Sequence, residues 1–524
     1  MRLTLTQILL ALAMVTAASS RIDCAEAPVL RRGNGPEPAT LDAHRAQDIA
    51  SHNILRDLYQ GLVSEDARGN IVPGMAERWE ISADGLDYRF YLRANLRWSN
   101  GEVLDAAQIV ASFRRALQRE TAAPLASLLN PIRGAKSAKP DIVIVDGNSI
   151  RIGLSRPAPL LKLLVLPVAM PVYLPAVVAH GNAHTRPGHL VSNGPYRLQA
   201  WAPHSAITLQ RNPHFHAQQE VRIEQVRFVV TEDAASELKR FQAGDLDITE
   251  TVPPGRLDRL RERFGDALRI SPYLGSFFFG INLRSKPLGD SLALRRALSL
   301  AIDRSILTRY ITALGERPAY GLVPDGIAGY ARASLPESTL NQQARVALAR
   351  QLIAQAGHQV KTPLEIEIRY NTSTAHRRLS LAVAAMWREV LGIKVRLRNE
   401  EWKSFVQSRR DGRITQVFRG GWIGDVDDPL SFLSLFDGAQ ALNWSGWYDQ
   451  NFIRLLSAAD ADAAQRMNLL HQAEQLLLDQ HAIIPLYFYT SKHLVRAQVQ
   501  GFEANLLDRH PSRWMHLAAS TTAP

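Results

Sequence analysis

Residues 364–398 constrain the architecture more than any other stretch. Leu364, Ile366 and Ile368 alternate with Glu365, Glu367 and Arg369, the two-residue period of a half-buried strand. Residues 376–391 then carry apolar positions at helical spacing, and Gly392 stops that helix. Ile393, Val395 and Leu397 alternate with Lys394, Arg396 and Arg398 as a second strand. Strand, helix and strand in this order form a βαβ unit, which implies a parallel sheet and an α/β fold. A further helix, from Gln342 to Ala356, ends at Gly357 just ahead of the unit.

Other segments show that this sheet is not alone. Residues 200–235 alternate in short strands. Trp79 and Ile81, then Tyr88, Phe90 and Leu92, alternate on either side of an Ala83-Asp84-Gly85 turn, a β-hairpin. A second turn at Ser99-Asn100-Gly101 precedes an amphipathic helix from Ala106 to Leu117, and another helix runs through Ile49, Ile54, Leu55, Leu58 and Leu62. A length of 524 residues predicts more than one domain. No long Gly/Ser linker separates them.

The first 27 residues read as a secretory signal peptide: Arg2, an apolar run from Ile8 to Ala18 too short to span a bilayer, and small residues after it. Cys24 is the only cysteine, so no disulfide forms within the chain, and Arg21-Ile22-Asp23 before it does not suit a lipid anchor. The net charge of +11 could mean nucleic acid. The bases are scattered singly among acids, however, with no basic run of five and no zinc-finger or RRM spacing. We find no H-E-x-x-H, G-x-S-x-G or P-loop, and expect no catalytic residues, no metal and no cofactor. Ser236 and Lys239 match the S-x-x-K of penicillin-interactive serine enzymes, a remote alternative that Lys361-Thr362-Pro363 echoes only loosely.

The stretch Arg419–Phe432, R-G-G-W-I-G-D-V-D-D-P-L-S-F, is punctuated by glycine and proline and reads as a loop. Trp422 and Asp425 could offer an apolar wall and an anion to one small ligand group. A solvated acidic turn at Asp425, Asp427 and Asp428 is the alternative from the residues alone.

Several motifs together resemble a known family. They are N-G-P-E-P-A-T-L-D (34–42), the hairpin with its W-S-N-G turn (98–101), V-S-N-G-P-Y-R-L (191–198) and F-Q-A-G-D-L-D-I (241–248). L-R-R-A-L-S-L-A-I-D-R (294–304), Y-N-T-S (370–373), E-E-W-K-S-F (400–405) and I-I-P-L-Y-F-Y (483–489) follow in the same order. The chain resembles the periplasmic oligopeptide- and dipeptide-binding proteins of bacterial ABC importers, solute-binding protein family 5. The resemblance implies a periplasmic binding protein type II-like fold, two α/β lobes joined by a hinge, with an additional small inserted domain. It places domain I in residues 28–59, 185–274 and 493–524, domain II in 60–184 and domain III in 275–492.

It also implies a monomer in the periplasm that captures a short peptide between its lobes. The peptide then passes to the permease and ATPase subunits of an importer. Gly421-Trp422-Ile423-Gly424-Asp425 keeps the family's G-W-x-x-D spacing, and Asp425 would take the peptide's α-ammonium. Arg419, Arg409 and His376 match positions that meet the peptide's carboxylate. Trp402, Tyr487 and Tyr489 could line side-chain pockets or belong to plain core, with Tyr487 and Tyr489 on one strand face and Phe488 on the other. The chain departs from the family where two cysteines pair, now Gly275 and Ile423, and at Leu125, at Glu250-Thr251-Val252 and near Thr312, where a lysine is missing. These departures open the alternative of a specific ligand: a murein or antimicrobial peptide, haem, a metal chelate or an oligosaccharide.

Overall fold

The structure is a computed structural model that describes residues 28–253, 257–357, 364–414, 416–438 and 442–518. The expected signal peptide and Lys361-Thr362-Pro363 lie outside the described residues. Two α/β lobes each hold a sheet of their own. In the first, the strand order is Val29–Gly33, Gln225–Val229, Ala206–Arg211 and Tyr196–Ala202, with the first pair parallel and the others antiparallel. Leu30, Tyr196, Ile207, Leu209 and Phe228 join Ile54, Leu55 and Leu58 of the helix Ile49–Leu58 in its core.

The second lobe is built on six strands in the order Arg317–Pro318, Ile483–Leu494, Leu268–Ile281, Val417–Ile423, Glu365–Asn371 and Lys394–Glu400. The expected βαβ unit is present: Glu365–Asn371 and Lys394–Glu400 run parallel, joined by the helix Thr374–Leu391. Gly392 ends that helix at φ +68°, a left-handed conformation that costs a glycine little. Phe277 and Phe279 face a core with the helices Leu292–Leu300, Gln342–Gln355 and Thr374–Leu391. Phe278, on the opposite face, packs toward the helices Gln450–Ala461 and Arg466–Asp479.

The pattern at 364–369 overstated exposure. Glu367 and Arg369 are both buried, at 2 % and 5 % exposure. They bond each other at 2.5 Å, and Arg369 also meets Glu400 at 3.2 Å. A charged alternation reads as solvent-facing unless the charges pair, and the register that pairs them is invisible in the sequence.

Leu268–Ile281 and Ile483–Leu494 are the crossing strands. They pair antiparallel from Leu268↔Leu494 to Pro272↔Thr490 and resume at Ser276↔Phe488. Just past that pairing, Ile248 bridges both Arg32 of the first sheet and Val495. Two long strands thus carry the chain between lobes, the geometry of a hinge. A smaller antiparallel sheet, in the order Ala76–Ile81, Asp87–Leu92, Ser149–Gly153 and Ile142–Asp146, has its own core around Phe90, Trp98 and Phe113. Its S-N-G turn meets the later one: Ser99 N donates to Ser192 O at 2.7 Å, and Ser192 N to Ser99 Oγ at 3.1 Å. Among the described residues no helix is long and apolar enough to cross a membrane.

Candidate functional site

The stretch expected as a loop begins as a strand. Val417–Ile423 pairs with Leu268–Ile281 through Phe279↔Arg419, Phe277↔Gly421 and Gly275↔Ile423. Its glycines serve close approach rather than turning. A Cβ at Gly420 would lie 2.4 Å from the Phe278 ring, and one at Gly424 2.6 Å from Leu274 Cδ2. The turn starts only at Gly424, whose amide donates to Leu274 O at 2.8 Å.

On its other side this strand is only half paired. Glu365–Asn371 meets it at Val417 and Phe418 and no further. From Arg419 to Ile423 the backbone therefore has one strand partner among the described residues. A free edge of this kind can accept another extended chain.

At one end of the free edge stands a cationic, aromatic group. Phe277 stacks on Tyr487 at 4.8 Å between centroids and 11° between planes, and Tyr489 stands edge-on to Tyr487 at 5.5 Å. The Arg419 guanidinium lies 5.4 Å from the Phe277 ring and 6.0 Å from that of Trp402, and its charge acts on the neighbouring Tyr489 hydroxyl. Gly421 makes room for this convergence. A Cβ there would sit 3.1 Å from Tyr489 Oη and 3.5 Å from Arg419 Nη2. Arg409, in the last turn of the helix Trp402–Arg410, places its guanidinium 3.8 Å from the Trp444 ring and 5.9 Å from that of Trp402. His376 enters from the first turn of Thr374–Leu391, with its ring 5.6 Å from Phe277.

The electrostatics of this group are unbalanced. Among the described residues neither Arg409 nor Arg419 forms an ion pair, and Arg409 Nε, Arg409 Nη1 and Arg419 Nε are buried without a hydrogen-bond partner. Burial, and then the neighbouring Arg419, push the Arg409 guanidinium down to about 9 and the His376 imidazole down to about 4. A buried cation without a counter-charge is costly, so the arrangement favours an incoming anion.

Asp425 lies beyond the other end of the edge. Arg509 fixes the turn by donating to Asp425 O at 2.5 Å and to Glu65 Oε1 at 2.7 Å. Among the described residues the Asp425 carboxylate accepts no hydrogen bond. Burial raises its pKa and the Arg509 charge opposes the rise. Trp422 points to the opposite face, half-buried against the core around Phe432 and Phe436, with its Nε1 buried and unpaired. Asp428 caps Leu430 N and pairs with Arg466 at 2.7 Å, whereas Asp427 meets Lys162 at 3.5 Å. Thus Arg419, Gly421, Trp402, Arg409, His376, Tyr487 and Tyr489 gather into one group, and Asp425 and Trp422 stand apart from it.

The departures also find their places. Gly275 and Ile423 are direct partners across the strand pair, but the Tyr489 ring covers the gap. A Cβ at Gly275 would lie 2.6 Å from Tyr489 Cδ2. Thr312 turns its hydroxyl back to Thr308 O at 3.3 Å, and Leu125 packs half-buried on the core of the smaller sheet. Glu250 accepts from Asn53 Nδ2, and burial lifts it to about 7. Ser236 and Lys239 are both exposed on the helix Ala234–Ala243, where Asp233 caps the Ser236 amide. Sequence reasoning missed Trp444, Glu65 and Arg509. Glu65 and Arg509 stand 444 positions apart, and nothing local marks either.

Comparison with known proteins identifies a family and solved relatives. The profile of "Bacterial extracellular solute-binding proteins, family 5 Middle" matches residues 70–444. The chain is 34% identical over 511 residues to the periplasmic oligopeptide-binding protein OppA of Salmonella typhimurium, covering 94% of this chain and 93% of the relative. It is 32% identical to the periplasmic murein peptide-binding protein MppA of Escherichia coli, covering 92% and 91%. A solved structure of the Escherichia coli murein tripeptide binding protein MppA superposes with a TM-score of 0.80 at 31% identity, covering 94% of this chain and 99% of that one.

Proposed function

The chain belongs to family 5 of the bacterial extracellular solute-binding proteins, and from that premise we propose that it captures short peptides in the periplasm for an ABC importer. The observation that carries this reading is the free edge Arg419–Ile423, bounded by unpaired guanidinium groups at one end and the Asp425 carboxylate at the other. A binder of varied peptides must hold the backbone and ignore side chains. An exposed edge does so, because its N–H and C=O groups pair with any extended chain.

In this reading Asp425 takes the α-ammonium, and Arg419 with Arg409 takes the carboxylate. Tyr489 orients Arg419, while His376 stays neutral beside it. Trp402, Tyr487 and Trp422 bound the side-chain space. The six steps along the chain from Arg419 to Asp425 span about 20 Å when extended, room for a ligand of about six residues or fewer. We place domains I, II and III at boundaries near Tyr59, Thr185, Leu274 and Lys492; the smaller sheet's own core supports a separate domain II. Peptide bound to both lobes would favour the closed state through its differential affinity. The permease and ATPase subunits are separate chains.

Two guanidinium groups without an ion pair among the described residues exceed what one carboxylate needs. This favours, as a second reading, a peptide with another acid near its C-terminus; one relative is named for binding murein peptide. Mass spectrometry of ligand co-purified from cells separates the two. Mixed short peptides support the first reading and one defined acidic compound the second. Recovery of no peptide, with no calorimetric binding of a short-peptide mixture, overturns both.

A further inference from the structure

A second polar cluster lies beside the crossing strands. His493 is near the end of the crossing strand Ile483–Leu494, and Asp508 and His510 lie on the segment that returns beside it. His493 Nε2 is 2.9 Å from Asp508 Oδ1, and His510 Nε2 is also 2.9 Å from that oxygen. The three donor atoms lie within 4.8 Å of one another, and the side chains are 7 %, 19 % and 6 % exposed.

Each donor is held from behind. His493 Nδ1 bonds the Thr249 carbonyl at 2.8 Å, the outer contact that fixes a metal-ligating imidazole and turns Nε2 inward. The His510 ring stacks on Phe502 at 3.9 Å between centroids, and its Nδ1 is buried without a partner. Asp508 has φ +54°, in the left-handed region, and Asn505 braces the turn by accepting from Arg509 N and donating to Arg509 O. A strained backbone retained by its surroundings is a common mark of a functional position. An open cavity of about 490 Å³, lined by His493, His510, Phe502, Arg269 and Glu503, gives a path from solvent.

We propose that His493, Asp508 and His510 form a site for one divalent transition metal ion, with its remaining coordination positions filled by water from this cavity. Two imidazoles and one carboxylate on one side of an ion suit zinc, nickel or cobalt, whereas magnesium and calcium prefer oxygen alone. His493 directs Nδ1 to Thr249 O and Nε2 to Asp508. Coordination takes Nε2 in its unprotonated form, any proton there passing to solvent, and keeps the Nδ1 contact. The spacing His493, Asp508, His510 has no metal signature in sequence, which is why the site was not expected.

The test is calorimetric titration of the chelator-treated, untagged mature chain with Zn²⁺. One equivalent should bind, with a Kd of about 10 μM or tighter. His510→Phe keeps a ring to stack on Phe502 and removes a donor, and should weaken binding by at least about 100-fold. Asp508→Asn provides a second variant, and thermal melting confirms that each is folded. Co²⁺ should give visible absorption bands in the wild type that His510→Phe lacks. The stacked surface pair His180 and His189, 3.9 Å apart, is the competing donor set, so His189→Ala should leave the equivalent in place. The proposal is overturned if the wild type binds no Zn²⁺, if folded His510→Phe or Asp508→Asn binds as tightly as wild type, or if His189→Ala alone removes the ion.

Discussion

Replacing Asp425 with Asn should weaken binding of a short peptide by about two to three factors of ten. The carboxylate is half-buried, accepts no hydrogen bond from the described residues and feels one cation, Arg509, whose hydrogen bond goes to the backbone oxygen instead. Removing one partner of a buried charge pair costs about 3–5 kcal/mol, and partial access of water at the cleft places the expected loss toward the lower end. At about 1.4 kcal/mol per factor of ten, this gives the stated range. Isothermal calorimetry should show the same loss when wild type is offered the N-acetylated peptide. In Asp425→Asn, acetylation should cost almost nothing more, since the ammonium no longer has a partner; this is a double-mutant cycle with the ligand as one arm.

The pH dependence follows with opposite signs for stability and binding. Burial raises the Asp425 pKa in the folded chain, so this group disfavours the folded state above its unfolded pKa. The ligand-free chain regains that stability as pH falls through the raised value. Peptide affinity moves the other way in the same window, because the ammonium requires the ionised form. Asp425→Asn should therefore melt no lower than wild type without ligand at neutral pH, and should lose this part of the pH dependence. Equal acetylation penalties in the two proteins would refute the assignment, and a collapse of ligand-free stability would make Asp425 structural.

Three further outcomes are expected. Arg409→Met should leave the ligand-free melting temperature unchanged or higher, because the lost cation is buried and unpaired. It should weaken a peptide with a free carboxylate more than tenfold, by calorimetry, and an amidated peptide much less, on the magnitude of about 1.5–3 kcal/mol for a hydrogen bond to charge. Gly275→Cys with Ile423→Cys should form little disulfide by thiol titration while Tyr489 is present, and more in a Tyr489→Ala background, since the tyrosine ring occupies the space at Gly275. Glu474→Leu should destabilise the second lobe by at least about 3 kcal/mol in urea unfolding. The fully buried Glu474 accepts from the amides of Leu322, Val323 and Ala333 and from the Tyr330 hydroxyl, and leucine would leave four donors unpaired.

What could be read from the sequence, and what could not, divides along one physical line. Alternation and helical spacing placed the βαβ unit, because burial of one face is a local pattern that repeats every two or 3.6 residues. The stretch from Gly421 to Asp425 stood out for a different reason, its resemblance to the spacing of a known family. The glycines of that stretch misled, since glycine permits a turn and also permits another chain to lie close, and only the neighbouring strand decides which. At Gly420, Gly421 and Gly275 the neighbours are Phe278 and Tyr489, which the sequence sets far away or on another strand. The burial of Glu367 and Arg369 depends on Glu400 in the same way. Arg509 was one of 61 basic residues until the fold set it between Glu65 and the Asp425 backbone. Arg509 directly follows Asp508, so the segment that carries Asp508 and His510 is also the one that fixes the turn at Asp425.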